Sequence, residues 1–350
     1  MPLRTTTLGA YPKPDYVPTP DWFRTGGTGS RAPTRAYDEY LRHLPENIQE
    51  ILDRGTREIV QEQVSLGIDI PTDGEVRREN YIHYQCRHFQ GIDFQTLTPK
   101  ASRQGAWVAE LPTIVGPIRP GDPVLPQDYR AAQAATDRPV KMTLPGPLTI
   151  TDSTADAYYN DDARLGADLA AALNREVLAL AEAGCTWIQV DEPVFARRPE
   201  DALAFGFENL ERVFHGLPDH VTITVHMCCG YPDYLDQEDF QKADASTYFR
   251  LAPAIEDSSI QIISLEDAHR HNDLRLLEHF RTTSVAFGSI AIARSRVEPV
   301  EEIRERLSQA LEHIDPERLM VAPDCGLGLL PRELVRAKLA NMVAAARSLG

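Results

Sequence analysis

Long apolar runs are missing from this chain. No stretch approaches the roughly 18 consecutive apolar residues that a membrane span needs. The opening MPLRTTTLGAYPKPD lacks the continuous apolar centre of a signal peptide. A membrane span or export signal is therefore not expected. Cysteine is also scarce. Its five copies, at 86, 185, 228, 229 and 325, are odd in number and too scattered for a disulfide scaffold, which fits a reducing cytoplasm. Positive charge is short: 36 Lys and Arg against 52 Asp and Glu leave a formal net charge of -16. Phosphates repel such a surface, which argues against sequence-independent binding to nucleic acid or to an anionic membrane. Low-complexity tracts and fixed-period repeats are absent too, so neither disorder nor a solenoid is the starting expectation.

What remains is ordinary globular material, 350 residues with 42% hydrophobic and 25% charged side chains. Short β-rich segments at 5–9, 67–72, 140–144, 187–190, 221–225, 260–265, 284–290 and 319–322 alternate with longer amphipathic ones such as DARLGADLAAALNREVLALAEAG. Several of the latter start at Pro or Asp and stop at Gly, as in AEAGCTW and VSLGIDI. Eight strands with intervening helices imply a single (β/α)8 TIM barrel over residues 1–350. The rhythm breaks at 76–139, rich in Pro, Gly and polar residues, which reads as an insertion between strands 2 and 3 lying over the barrel mouth.

Barrel chemistry collects where strands end. After the second strand comes Asp73-Gly74-Glu75, after the fourth Asp191-Glu192-Pro193, after the fifth His226 and Cys228, after the sixth Glu266, Asp267 and His269, and after the eighth Asp324 and Cys325. His226, Cys228, Glu266 and Cys325 form a tetrahedral candidate set whose two sulfurs favour zinc over magnesium or calcium. Taken singly, each cysteine is more simply a small buried hydrophobe; three converging strand ends make the set. Cys229 should face away from its neighbour and pack. Cys185 and Cys86 read as structural, and His83 and His88, flanking Cys86, as ordinary loop residues. His269 and His271 compete between proton transfer and plain solvation. The DGE and DEP acids either hold an ammonium group, do acid–base work, or cap helices.

These residues resemble the catalytic barrel of the cobalamin-independent methionine synthases. TTTLGAYP, DGE, MTLPGPLTI, IQVDEP, HMC and PDCGLGLL stand in the family's order over nearly the whole chain. The resemblance implies a zinc ion on His226, Cys228, Glu266 and Cys325, and a small thiol, homocysteine, as acceptor. It implies that Glu75 and Asp191 hold the amino acid's ammonium group and that the Gly9 and Ala10 backbone receives its carboxylate.

The departures fall on the folate side. Ser153 stands near the place of a pterin-contacting tryptophan, Arg197 where an acid belongs, and Ala293 where the proton-donating histidine belongs. The family's arginine has no counterpart around QGAWVAELP. The second barrel of the folate-using enzymes is not expected in this chain. His269 or His271 would have to replace the missing acid. A methyl donor other than methyltetrahydrofolate, such as a corrinoid, a corrinoid protein or another small donor, fits these losses. So does an alkyltransferase joining another thiol, such as coenzyme M, to an epoxide. A non-catalytic binder of a methyl carrier and a zinc hydrolase are the readings from another class, and two thiolates weaken the metal's Lewis acidity, which disfavours the hydrolase.

Overall fold

The computed structural model describes residues 2–23, 34–102 and 107–350. It is a mixed α/β fold around a curled sheet of seven parallel strands: β1 (Arg4–Thr5), β4 (Lys141–Pro145), β6 (Trp187–Asp191), β7 (Thr222–Met227), β8 (Ile262–Leu265), β9 (Ser284–Gly288) and β10 (Leu319–Ala322). Their order in the sheet is β1-β10-β9-β8-β7-β6-β4. From β4 onward the strands are buried along nearly their whole length, as in parallel sheets covered on both faces.

The segment 67–72, expected as a strand, makes only single parallel bridges, Thr6 with Ile70 and Thr72 with Lys141. Those bridges touch both edges of the sheet. A full ladder does not form because Pro71 has no N–H to give and the Thr72 N–H donates instead to Gln63 Oε1 at 3.1 Å. Its carbonyls still serve: Lys141 N–H donates to Pro71 O at 2.9 Å.

Helices begin and end where the sequence signals lie. Asp161 accepts from the N–H groups of Ala163 and Arg164 and starts the helix Asp162–Glu182. That helix buries Leu165, Leu169, Leu173, Val177 and Leu180 against the sheet, each worth about 1.5–3 kcal/mol by removal from water. Gly184 at φ +96° and Gly67 at φ +95° end this helix and Ile48–Ser65 in the left-handed conformation that glycine allows.

The 76–139 segment has more regular structure than its composition suggests. It contains the helices Tyr81–Cys86 and Leu125–Gln133, and between them β2 (Phe89–Ser102) and β3 (Trp107–Pro120), an antiparallel pair. β3 pairs in parallel with β5 (Ala155–Asp156). Lys100 Nζ donates to the carbonyls of Thr151 and Thr154, both at 2.8 Å. The hairpin is thus fastened to the connection after β4, and it brings Leu111 to the wall of the central cavity.

Candidate active site

His226 and Cys228 stand two residues apart at the end of β7, on one face of the strand. Ser264 is the cross-strand partner of His226 on β8, and its hydroxyl lies 3.0 Å from Nδ1. That contact fixes the ring and leaves Nε2 free to face the Cys325 sulfur at 3.3 Å. The ligand atoms of His226, Cys228 and Cys325 lie within 4.8 Å of one another, the one such group among the described residues. The Cys325 S–H beside it, with His226, holds the Cys228 thiol well below the usual thiol range. Cys229 faces the other way into the apolar core, where burial pushes its thiol up to about 12.

Glu266, the fourth expected ligand, is buried but turned aside. Its Oε1 accepts from Lys242 Nζ at 2.7 Å and its Oε2 from the Cys229 N–H at 3.1 Å. Asp324 is structural. Its carboxylate accepts from the N–H groups of Asp267, Ala268 and His269 at 2.9, 2.9 and 2.7 Å, tying the Glu266 loop to the Cys325 loop. Gly288 leaves room for this, since a Cβ there would lie 2.2 Å from Asp324 Oδ1.

The two acid pairs divide their labour. In DEP, Glu192 accepts from the N–H groups of Leu148 and Thr149 and from the Thr149 hydroxyl, at 2.9, 3.0 and 2.7 Å, capping helix Pro147–Asp152. Gly146 must lack a side chain to let that carboxylate in. Asp191 faces the cavity with Gln189 Nε2 donating to it at 2.7 Å, and burial raises its carboxyl to about 6. In DGE, Asp73 accepts from the Glu75 N–H and from Arg78, at 3.1 Å each, while Glu75 faces the cavity. Burial raises Glu75 to about 7 against the opposing pull of Arg78. Glu75 also sits at φ +56°, a strained conformation for a side-chain-bearing residue. Gly9, at φ +100°, passes beneath it, and a Cβ there would lie 2.6 Å from Glu75 Oε1. Ala10 lines the same cavity and is held by Leu327 N–H donating to its carbonyl at 2.7 Å.

Aromatic rings line a further part of the cavity. Trp22 packs on Phe23 and Tyr81 with ring centroids 5.0 and 6.5 Å apart, and Phe23 on Tyr231 at 5.4 Å. Arg197 and Ser153 line this side, Arg197 reaching 3.8 Å from Asp152. His83 is no loop residue. It lies buried in the helix Tyr81–Cys86, whose N-terminus Asn80 caps, and it lines the cavity. Its Nε2 faces Ser153 O at 3.2 Å, its Nδ1 has no partner among the described residues, and burial lowers its pKa to about 4. The signal for it in the sequence was Asn80, an N-cap three residues before.

His269 lies outside the cavity lining. Its Nε2 accepts from the Ala293 N–H at 3.3 Å, and burial, with Lys242 and Arg294 nearby, lowers its pKa to about 3, so the ring is neutral. His271 is exposed and Ala293 is buried away from the cavity. Gln104 to Ala106 of QGAWVAELP lie outside the described residues.

Soft donors at the ends of parallel strands, beside a cavity with two buried carboxylates, form a group that could hold a metal ion next to a small polar ligand. The family described as the catalytic domain of cobalamin-independent synthase matches residues 3–348, and the chain belongs to it. A methionine synthase of Thermococcus kodakarensis is 30% identical over 345 residues, 97% of this chain and 91% of that protein. One from Sulfolobus acidocaldarius is 27% identical over 343 residues, 97% and 90% of the two chains. The solved structure of a B12-independent methionine synthase from Shewanella sp. W3-18-1, in complex with selenomethionine, has a TM-score of 0.87 and 30% identity over 100% of this chain and 98% of that one. Membership makes the chain an enzyme of the methyltransferase class with small-molecule substrates. A corrinoid protein as partner finds no support among these relatives. No helix among the described residues is long and apolar enough to cross a membrane.

Proposed function

We propose that the protein forms methionine by methylating the thiol of homocysteine at a zinc ion, with a donor other than methyltetrahydrofolate. The observation that carries this reading is the convergence of His226, Cys228 and Cys325 at the edge of the cavity that Glu75 and Asp191 line. One imidazole and two thiols suit zinc, and Ser264 already orients the imidazole as a ligand requires. Glu266 is the fourth, exchangeable ligand. The chemistry such an ion supplies when bound is acidification of a thiol, whose ordinary pKa near 8.5 leaves it mostly protonated at neutral pH.

The chain's own residues do the rest. Glu75 and Asp191 receive the ammonium group of homocysteine, and the Gly9–Ala10 backbone its carboxylate. Trp22, Phe23 and Tyr81 keep water from the opposite side, where the donor lies. In the reaction the acceptor sulfur gives up its proton and forms a bond to the methyl carbon, and the donor departs with the electron pair of the broken bond. The framework is a (β/α)8 barrel closed through residues 70–72.

Folate as donor requires a proton for its leaving nitrogen. Ala293 has none to give, and neither His269 nor His271 lines the cavity. Methionine formation from homocysteine is the test, with methylcobalamin and with methyltetrahydrofolate, each before and after removal of zinc. Zinc-dependent methylation by methylcobalamin and none by the folate is expected. Robust turnover with the folate overturns the donor assignment, and turnover unaffected by zinc removal overturns the metal.

A further inference from the structure

Glu266 is the one expected ligand that stands outside the His226, Cys228 and Cys325 group, and the structure shows what holds it there. Both carboxylate oxygens are occupied, Oε1 by Lys242 Nζ at 2.7 Å and Oε2 by the Cys229 N–H at 3.1 Å. The two holding groups belong to one folded unit. After Cys229 the chain makes a long excursion and returns, so that the Ala243 N–H donates to the Cys229 carbonyl at 2.7 Å. Gly230, at φ +152°, permits the close return, because a Cβ there would lie 2.6 Å from Gln241 O. Arg270 Nη1 donates to the Ala243 carbonyl at 2.8 Å and fastens the far end. The Lys242 Nζ stands over the Phe240 ring, 4.9 Å from its centroid.

An ion pair whose carboxylate is 3% exposed and whose lysine is 15% exposed is poorly screened, and charge-assisted bonds of this kind are the strong ones. We infer that Lys242 is a positioning residue that holds Glu266 off the metal, keeping three protein ligands in place and one coordination position available to the substrate's sulfur. Catalytic zinc sites keep such a position open, whereas structural ones close it. Glu266 therefore has two alternative partners, Lys242 and the metal, and Lys242 sets the balance between them. This inference rests on the zinc reading above.

The two roles open to Lys242 predict opposite signs. A lysine that merely supports the loop would, when removed, loosen the site and weaken zinc binding. A lysine that withholds a ligand would, when removed, release that ligand to the metal and strengthen zinc binding. The test uses the full chain, with zinc alone measured by chelator competition and homocysteine binding measured on the zinc-loaded protein. Lys242→Met, and Lys242→Gln as a second neutral variant, should hold zinc about tenfold more tightly, the lower end of what partners of metal ligands change. Both should bind homocysteine correspondingly more weakly, because the sulfur must now displace a carboxylate. Lys242→Arg, which preserves the ion pair, should match the wild type in both. Unchanged or weaker zinc binding in both neutral variants, with Cys325→Ser losing zinc, overturns the role of Lys242 and leaves the metal site standing. Zinc retained at wild-type affinity by Cys325→Ser overturns the metal site and this role with it.

Discussion

The two sides of the cavity are built on different principles. The proposed acceptor side stands on strand ends. His226 is fixed by Ser264 on the next strand, Asp191 by Gln189 on its own, Glu75 by Thr143, and the loops behind them by Asp324. The proposed donor side stands on a six-residue helix, on Trp22 and Phe23 near the N-terminus, and on the hairpin residue Leu111. His83 Nδ1 has no hydrogen-bond partner among the described residues, and Arg197 lies 3.8 Å from Asp152. In the proposed reading the acceptor is thus met by hydrogen-bonded strand ends and the donor by packed rings.

The sharpest way to break this contrast is Cys325→Ser. It should abolish bound zinc by elemental analysis and cut methyl transfer by more than about a hundredfold, beyond the range for residues that only support ligands. Full zinc retention would show that the strand ends do not build a metal site.

Asp191→Asn and Glu75→Gln come next. Each removes one charge-assisted bond to an ammonium group, worth about 1.5–3 kcal/mol. Homocysteine affinity should therefore fall about tenfold or more, with zinc content unchanged. Wild-type affinity in both variants would mean that the amino group is held elsewhere.

The same pair predicts a pH dependence. Burial raises Glu75 to about 7 and Asp191 to about 6. An ammonium group binds the ionised carboxylates, so acidification must protonate them at the expense of binding. Homocysteine affinity should rise from pH 5 to pH 8, and below about 7 binding should release more protons than the one the thiol gives up to the metal, measurable by calorimetry in buffers of different ionisation enthalpy. Release of the thiol's proton alone below pH 7 would separate the carboxylates from the acceptor.

Smallest is the effect of Arg197→Ala. It should change the apparent affinity for the donor severalfold, as expected for one partly exposed contact, and leave zinc and homocysteine binding as they are. A change in zinc content would show that the two sides are not independent.

The same contrast explains what could be read from the sequence. Strand-end residues are legible because a β-rich run announces its own end, and His226, Cys228 and Cys325, whose ligand atoms lie together, each follow such a run. The hairpin was not, because its register shifts between Gln90 and Ile92 and again between Asp93 and Leu97. Each shift interrupts the two-residue alternation that marks a strand, and Gly91 and Pro99 add the look of a loop. His83 escaped because one capped turn is too short to display a helical period. Residues 67–72 look like a strand in composition, yet Pro71 limits them to bridges. Which acid of each pair faces the cavity was also hidden, since Glu192 becomes a cap only when the helix Pro147–Asp152 folds up against it.

Asp324 has a consequence for how this site is inherited. Its three amide bonds join the Glu266 loop to the Cys325 loop, and the room it occupies exists because residue 288 is glycine. Three separate stretches of chain are thus tied together. A chimera that took the 266–269 loop from one relative and the 324–325 loop from another would have to keep both the aspartate and the glycine to keep the loops joined. A side chain at position 288 would meet the Asp324 carboxylate, so the glycine serves the junction of two loops to which it does not itself belong.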